Sequence, residues 1–253
     1  MDKPTERFTS RADAYARYRP GYPPAAVTLL KQRCGLSPQA VVADVGSGTG
    51  ILTALLLHTG AEVFGVEPNG AMRACAEAAL RGWPRFRSVN GTAEDTTLAP
   101  QSVDLLVAGQ AFHWFDVPKA RAEGLRVIRS GGSGALLWNE RPRDTTAFLA
   151  DYEALLLRHA PEYATITANR ANETSMREFF GGSMERAEFA NRQQLVFEGL
   201  QGRLMSSSYA PEPGHPEYAP MMAGLRKVFD THAHDGQVVL PYQTLVYFGR
   251  LGP

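Results

Sequence analysis

From residue 41 to residue 140, short runs of β-branched and apolar residues alternate with stretches whose apolar positions recur every three or four residues. Val41-Val42-Ala43-Asp44-Val45 predicts a strand that runs straight into glycines at 46, 48 and 50. Ile51, Leu52, Leu55 and Leu56 then predict a helix that stops at Gly60. A second strand is expected over 62–67. Pro68-Asn69-Gly70 makes a turn in which Asn69 can cap a helix through Met72, Cys75, Ala79 and Leu80. A weaker third strand falls over 86–90. The unbroken apolar run 103–108 has the character of a strand buried on both faces. A helix over 118–128, ending at Gly131-Gly132, leads to a strand over 135–138. Strands separated by helices predict βαβ units and a parallel sheet.

Beyond Glu140 the alternation stops. Helices are expected over 144–160, 173–180 and 217–232, a strand region over 184–197 with Phe189, Leu195 and Val196, and a Ser/Pro/Gly-rich loop over 206–216. The last apolar runs, 238–240 and 244–248, are split by Pro241 and predict two late strands, with an antiparallel edge on the sheet. Near the start, Phe8, Ala12 and Tyr15 share one helical face, and Pro20 ends that helix.

A chain of 253 residues with 44% apolar residues is long enough for one large α/β domain or two small ones. Two cysteines, Cys34 and Cys75, exclude a disulfide scaffold. The longest strong apolar run, 51–57, is far short of a membrane span, and the charged N-terminal stretch has no signal-peptide core, so the expected location is cytoplasmic. Lys and Arg total 26, as do Asp and Glu, which argues against a basic nucleic-acid footprint. That balance conceals a gradient. Residues 1–33 carry seven basic against three acidic residues, whereas 34–140 and 141–253 each carry two more acids than bases; arginine outnumbers lysine 22 to 4. The pattern suits an anionic small ligand gathered by a basic flap.

The sharpest local signal is Asp44-Val45-Gly46-Ser47-Gly48-Thr49-Gly50 between a strand and a helix. Glycines there allow a tight turn and close approach of backbone to a ligand. A dinucleotide fingerprint is spaced G-x-G-x-x-G, whereas this loop reads G-x-G-x-G with Ile51 next. Asp44, just before the loop, can face a cationic amine rather than a pyrophosphate. Glu67, ending the second strand, can accept both hydroxyls of a ribose, or can serve only to cap the following helix.

These residues resemble the nucleotide loop of class I S-adenosylmethionine (SAM)-dependent methyltransferases. Gly91-Thr92-Ala93-Glu94-Asp95, Ser102-Val103-Asp104-Leu105-Leu106-Val107 and Leu125 through Gly132 fall where that family has its later motifs. Two stretches resemble the small-molecule type 11 branch, which includes trans-aconitate methyltransferase-like proteins. One is Phe8, Ala12 and Tyr15 with Tyr18-Arg19-Pro20-Gly21-Tyr22-Pro23; the other is Gln110-Ala111-Phe112-His113-Trp114-Phe115-Asp116. The resemblance implies a Rossmann-like seven-stranded, mostly parallel sheet with an antiparallel last strand, helices on both faces and a helical cap insertion. It divides the chain into an N-terminal helical flap (1–33), a SAM-binding core (34–140), a cap with the sixth-strand region (141–232) and C-terminal strands (233–253).

It also implies that SAM is held by Asp44, Gly46, Ser47, Gly48, Gly50, Glu67, Pro68, Met72, Ala93, Glu94 and Gln110, with Tyr15 and Arg19 reaching its carboxylate from the flap. Many members carry an acid where this chain has Thr92, which leaves Glu94 or backbone for the adenine. Arg19 has a planar fork suited to a carboxylate, and it can equally sit solvated on an amphipathic flap. Tyr18, Tyr22, Trp114 and Asn139 are the expected acceptor contacts, and His113 is either a general base or part of the pocket wall.

Methyl transfer from a sulfonium needs alignment and water exclusion rather than a protein nucleophile or metal. The sequence agrees: it has no H-E-x-x-H, Cys-x-x-Cys or G-x-S-x-G, and His232 and His234 would lie on different helix faces. Cap residues Phe148, Tyr152, Leu156, Phe179 and Phe180 with Arg141, Arg143, Arg170 and Arg177 suit a concave pocket for a small organic acid or aromatic, or a lid that packs on itself. The expected function is methylation of a small-molecule acceptor, on O before N or C, by a monomer or homodimer. A non-catalytic SAM-binding protein and an NAD-dependent oxidoreductase are the alternatives.

Overall fold

The computed structural model describes residues 11–168 and 173–251. Phe8 and Arg170 lie outside the described residues. Seven strands form one sheet: β1 (Val41–Val45), β2 (Glu62–Val66), β3 (Phe86–Val89), β4 (Val103–Gly109), β5 (Ile128–Glu140), β6 (Glu185–Leu195) and β7 (Val238–Arg250), in the order β3-β2-β1-β4-β5-β7-β6. β1 pairs in parallel with β2 and β4, and β4 with β5; β7 runs antiparallel between β5 and β6. This is the mostly parallel seven-stranded α/β fold expected from the sequence.

Alternation along the central strands feeds two cores. Ala43 and Val45 of β1, Leu106 and Ala108 of β4, and Leu136 and Trp138 of β5 face one layer; Val42, Leu105, Val107, Ala135 and Leu137 face the other. The first layer is closed by α5 (Val117–Val127) and α8 (Glu173–Phe180), through Ala120, Val127, Met176, Phe179 and Phe180. The second is closed by α2 (Pro24–Arg33) and α3 (Ile51–Leu57), through Ala26, Leu30, Leu52 and Leu56. Helix α4 (Gly70–Ala79) starts where Asn69 was expected to cap it: its side chain accepts from the N–H groups of Ala71 and Met72 at 3.0 Å each.

A third cluster lies beyond one end of the sheet. It joins α6 (Ala147–His159), Tyr163 at the start of α7 (Tyr163–Ala168), α9 (Phe197–Met205) and α10 (Tyr218–His232) to Leu195 and to Val238, Leu240 and Tyr242. Phe148, Tyr152 and Leu156 belong here, as part of the cap's own core; Phe179 and Phe180 instead complete the sheet layer. The N-terminal helix α1 (Ala12–Tyr18) crosses onto α9. Tyr18 lies so tightly on Gly202 that a side-chain carbon there would come within 2.3 Å of its ring.

Three local expectations are corrected. Pro241 does not divide the last strand: it pairs opposite Arg192 of β6, whereas β5 joins β7 only from Gln243, so the missing N–H falls where β7 has an open side. Gly131 and Gly132 do not end a helix. They lie within β5, where Gly132 approaches Ile128 and the backbone of Asp104 too closely for any side chain, beside a register shift between Val103 and Leu105. Residues 198–205, given no element from the sequence, form α9 together with Phe197, which was expected to end the preceding strand; two glycines obscure the helix's period.

Candidate active site

The carboxyl ends of the parallel strands face an open crevice, where a sheet of this type binds its ligands. β1 ends at Val45, and the chain turns through positive φ at Gly46, Gly48 and Gly50 before α3 begins. The N–H groups of Gly46 and Ser47 donate to the Val66 carbonyl at 2.8 and 3.1 Å, which draws the loop over the end of β2. A side-chain carbon on Gly46 would meet the Ala111 methyl at 2.5 Å; only glycine lets the loop lie against the segment after β4.

Glu67 completes this turn. Its Oε2 accepts from Gly48 N–H at 2.9 Å and its Oε1 from Asn69 N–H at 2.8 Å, while burial raises its pKa. Each oxygen keeps a lone pair, so two ribose hydroxyls still find acceptors. Asp44 is 1% exposed. Its Oδ2 accepts from Thr53 Oγ at 2.6 Å, and its Oδ1 has no hydrogen-bond partner. Burial pushes the carboxyl up to about 7, against the Thr53 hydrogen bond and with help from the Glu67 charge. A buried carboxylate with one oxygen unanswered calls for a cationic ligand group.

Two adjoining cavities open here, of about 300 and about 100 Å3, and Tyr15, Arg19, Gly46, Gly48, Gln110 and Tyr209 line both. The larger holds Glu67, Pro68, Met72, Ala93, Glu94, His113 and Trp114 in its wall. The smaller holds Asp44, Ser47, Tyr22 and Asn139, and on its cap side Arg141, Arg143, Tyr163, Arg203 and Tyr242. Gln110 stands between them in a left-handed conformation (φ 59°) that is uncommon for its residue type. Its N–H donates to the Leu137 carbonyl at 2.9 Å, and its side-chain amide donates to the Asn139 carbonyl at 3.2 Å. Strain held in place by two bonds fits a residue positioned for a ligand.

From the flap, the Arg19 guanidinium lies over the Tyr15 ring at 4.6 Å, and its Nη2 donates to the Ser206 carbonyl at 2.8 Å. Its Nε is buried without a partner, and burial together with nearby Arg203 lowers its pKa. Arg11 donates to the Ser207 and Ala210 carbonyls. Two arginines thus satisfy carbonyl groups at the end of α9 and in the turn after it, and clamp α1 to that end of α9.

Other expected site residues sit differently. Gly50 lines neither cavity; a carbon there would come within 2.9 Å of Leu80, so its role is to let α3 start against α4. Tyr18 lines neither cavity because its ring is spent on Gly202. The Asn139 amide donates to the Gly21 carbonyl at 3.0 Å, and its Oδ1 accepts from Asn191 and Thr244, tying flap to sheet. Trp114, 36% exposed, stacks tilted on His113 with centroids 4.7 Å apart, on the side of Glu94 rather than of Asp44. Arg177 pairs with Glu173 on the surface of α8. Arg203, Tyr209 and Tyr242 were missed. The available signal for Arg203 was a charge between Leu200 and Leu204 on what proves to be a buried helix face.

Among the described residues no group of three or more His, Cys, Asp or Glu could hold a metal, and no helix is long and apolar enough to cross a membrane. Fold and pocket define an α/β domain whose crevice presents the Glu67 carboxylate, the half-answered Asp44 carboxylate and the buried Arg19 guanidinium. Residues 43–136 match a Methyltransferase domain of type 11, which assigns this region of the chain to the SAM-dependent methyltransferase domains. An uncharacterized methyltransferase of Mycobacterium tuberculosis is 40% identical over 134 residues, 53% of this chain and 52% of the relative. The chain therefore matches about half the length of these relatives. An uncharacterized methyltransferase-like protein of Schizosaccharomyces pombe is 24% identical over 250 residues, 97% of this chain and 96% of the relative. The solved structure of a candidate Type II methyltransferase from Anaeromyxobacter dehalogenans shares the fold, with a TM-score of 0.66 and 24% identity over 93% of this chain and 99% of that one.

Proposed function

We propose that this protein methylates a small-molecule acceptor, on a hydroxyl or carboxylate oxygen, with SAM as donor. The observation that carries the reading is the second cavity: it meets the first at Gln110 and the glycine loop, and it is walled by the cap rather than by adenine-side residues. When bound, SAM supplies an electrophilic methyl on a sulfonium that is also the leaving group. Asp44 Oδ1 and Arg19 Nε are opposite-charged, buried and unanswered, and they suit the amine and carboxylate of one amino-acid tail. Glu67 orients the ribose, and Ala93 and Glu94 flank the base.

The flap and cap exclude water, and the acceptor approaches from the side of Tyr22. His113 stands on the adenine side and serves as wall rather than base. The reading also takes the protein to be free of nucleic acid, to act in the cytoplasm as a monomer or homodimer, and to be divided into flap, core, cap and closing strands. A thermal-shift screen for SAM binding, followed by mass spectrometry of candidate acceptors for the gain of one methyl, tests it. SAM binding with no methylated product from any acceptor panel would favour a non-catalytic SAM-binding protein, and binding of NADH instead of SAM would revive the oxidoreductase.

A further inference from the structure

The smaller cavity has a charge problem that its own residues do not solve. Four guanidinium groups line it, from Arg19, Arg141, Arg143 and Arg203, against the single lining carboxylate of Asp44. Glu153 answers Arg141 directly and lies 3.8 Å from Arg143. Arg19 and Arg203 have no carboxylate partner among the described residues, and the positive charge of Arg203 lowers the pKa of Arg19.

Arg203 is the more telling of the two. It is 9% exposed on a helix face between the fully buried Leu200 and Leu204, a position that its spacing would give to an apolar residue. Its Nε donates to the Tyr242 hydroxyl at 2.9 Å and its Nη1 to Ser207 Oγ at 3.0 Å. Both partners are neutral. A buried cation without a counter-ion is costly, and protein interiors seldom carry one without a use. A bound cofactor sharpens the problem, because a sulfonium and an ammonium against one carboxylate add net positive charge. That carboxylate accounts for Arg19. It leaves Arg203 over.

We infer that Arg203, held by Tyr242 and Ser207, is the anchor for a carboxylate of the acceptor, so that the substrate is an organic acid, with Arg143 at the cavity edge as a second contact. This rests on the methyltransferase reading for the identity of the cavity, but binding alone can test it. With the protein saturated in S-adenosylhomocysteine, so that the cofactor's own carboxylate site is filled, malonate, succinate, citrate and benzoate are titrated in a thermal-shift or calorimetric assay beside succinamide, benzamide and inorganic phosphate. At least one carboxylate is expected to bind and its amide not to.

Arg203→Gln should weaken that binding roughly 10- to 100-fold, the loss of one charge-assisted contact, with S-adenosylhomocysteine binding retained. Tyr242→Phe, which keeps the ring and removes one prop of the guanidinium, should weaken it less and serves if the first variant does not fold. Equal binding of acids and amides, binding of phosphate alone, no binding of any acid, or carboxylate affinity unchanged in both variants would each overturn the anchor. Acid binding that needs Arg203, with no methylated product from any acid, would instead leave the anchor standing and sink the methyl-transfer reading.

Discussion

Asp44→Asn should move stability and cofactor affinity in opposite directions. The wild-type carboxyl has a folded pKa of about 7 against an ordinary value of 3.8, so the folded protein binds this proton more tightly than the unfolded chain does. Its contribution is most favourable below pH 4, declines as pH rises from about 4 to about 7, and stays at its least favourable above that. About three pKa units at about 1.4 kcal/mol each set the cost of the bare ionised carboxylate at ~4 kcal/mol. Asparagine keeps an oxygen for Thr53 and removes the charge. At pH 8 the empty variant should therefore melt several degrees higher than wild type, at roughly 2–4 °C per kcal/mol for a chain of this size.

Bound cofactor reverses the effect. In the proposed pose the cofactor ammonium neutralises Asp44, and the variant should lose a charge-assisted contact of about 1.5–3 kcal/mol, or roughly 10- to 100-fold in SAM affinity. In wild type, affinity should rise by up to tenfold per pH unit towards pH 7 as Asp44 ionises, flatten, and fall again above about pH 8 as the ligand amine loses its proton. Calorimetry in two buffers of different ionisation enthalpy should show proton release near pH 6 in wild type and none in the variant. An Asp44→Asn protein that melts lower when empty yet binds SAM as tightly as wild type would refute the assignment.

Three further substitutions probe the frame. Gly46→Ala places a methyl 2.5 Å from Ala111 at a φ of 71°, and should cost about 1–3 kcal/mol with a matching fall in melting temperature and weaker SAM binding; an unchanged melt would contradict the close approach. His113→Asn should leave the pH–rate profile of turnover unaltered while raising the KM for SAM through the cavity wall, and loss of one limb of that profile would restore it as a base. Gly202→Val cannot keep the Tyr18 ring in place, so hydrogen exchange in 12–18 should quicken far more than in the sheet; equal protection in both proteins would show that the flap does not depend on α9.

What the sequence disclosed and what it hid follow from the range of the interactions involved. The strand–loop–helix units of 41–140 are local: alternation, glycine spacing and the Asn69 cap each act within a few residues, and the glycine turn after β1 was legible from them. The place of Glu67 at the end of β2 was legible in the same way, and the Gly48 N–H it holds lies only 19 residues before it. The acceptor side was not, because its parts meet only across the fold. Arg19 lies 187 residues from the Ser206 carbonyl it holds, and Arg203 is 39 residues from Tyr242. Tyr18 and Gly202 show the cost of reading such a region locally: the resemblance implied a substrate contact at Tyr18, but its ring packs on Gly202 and docks α1 on α9. The charge gradient needs a similar revision. The surplus at the start of the chain is not a free basic surface. Arg11 is held by carbonyls beyond α9 and by Glu212, and Arg19 by the Ser206 carbonyl with its Nε proposed for the cofactor, which leaves a further unanswered positive charge deeper, at Arg203 on a helix for which the sequence predicted no element.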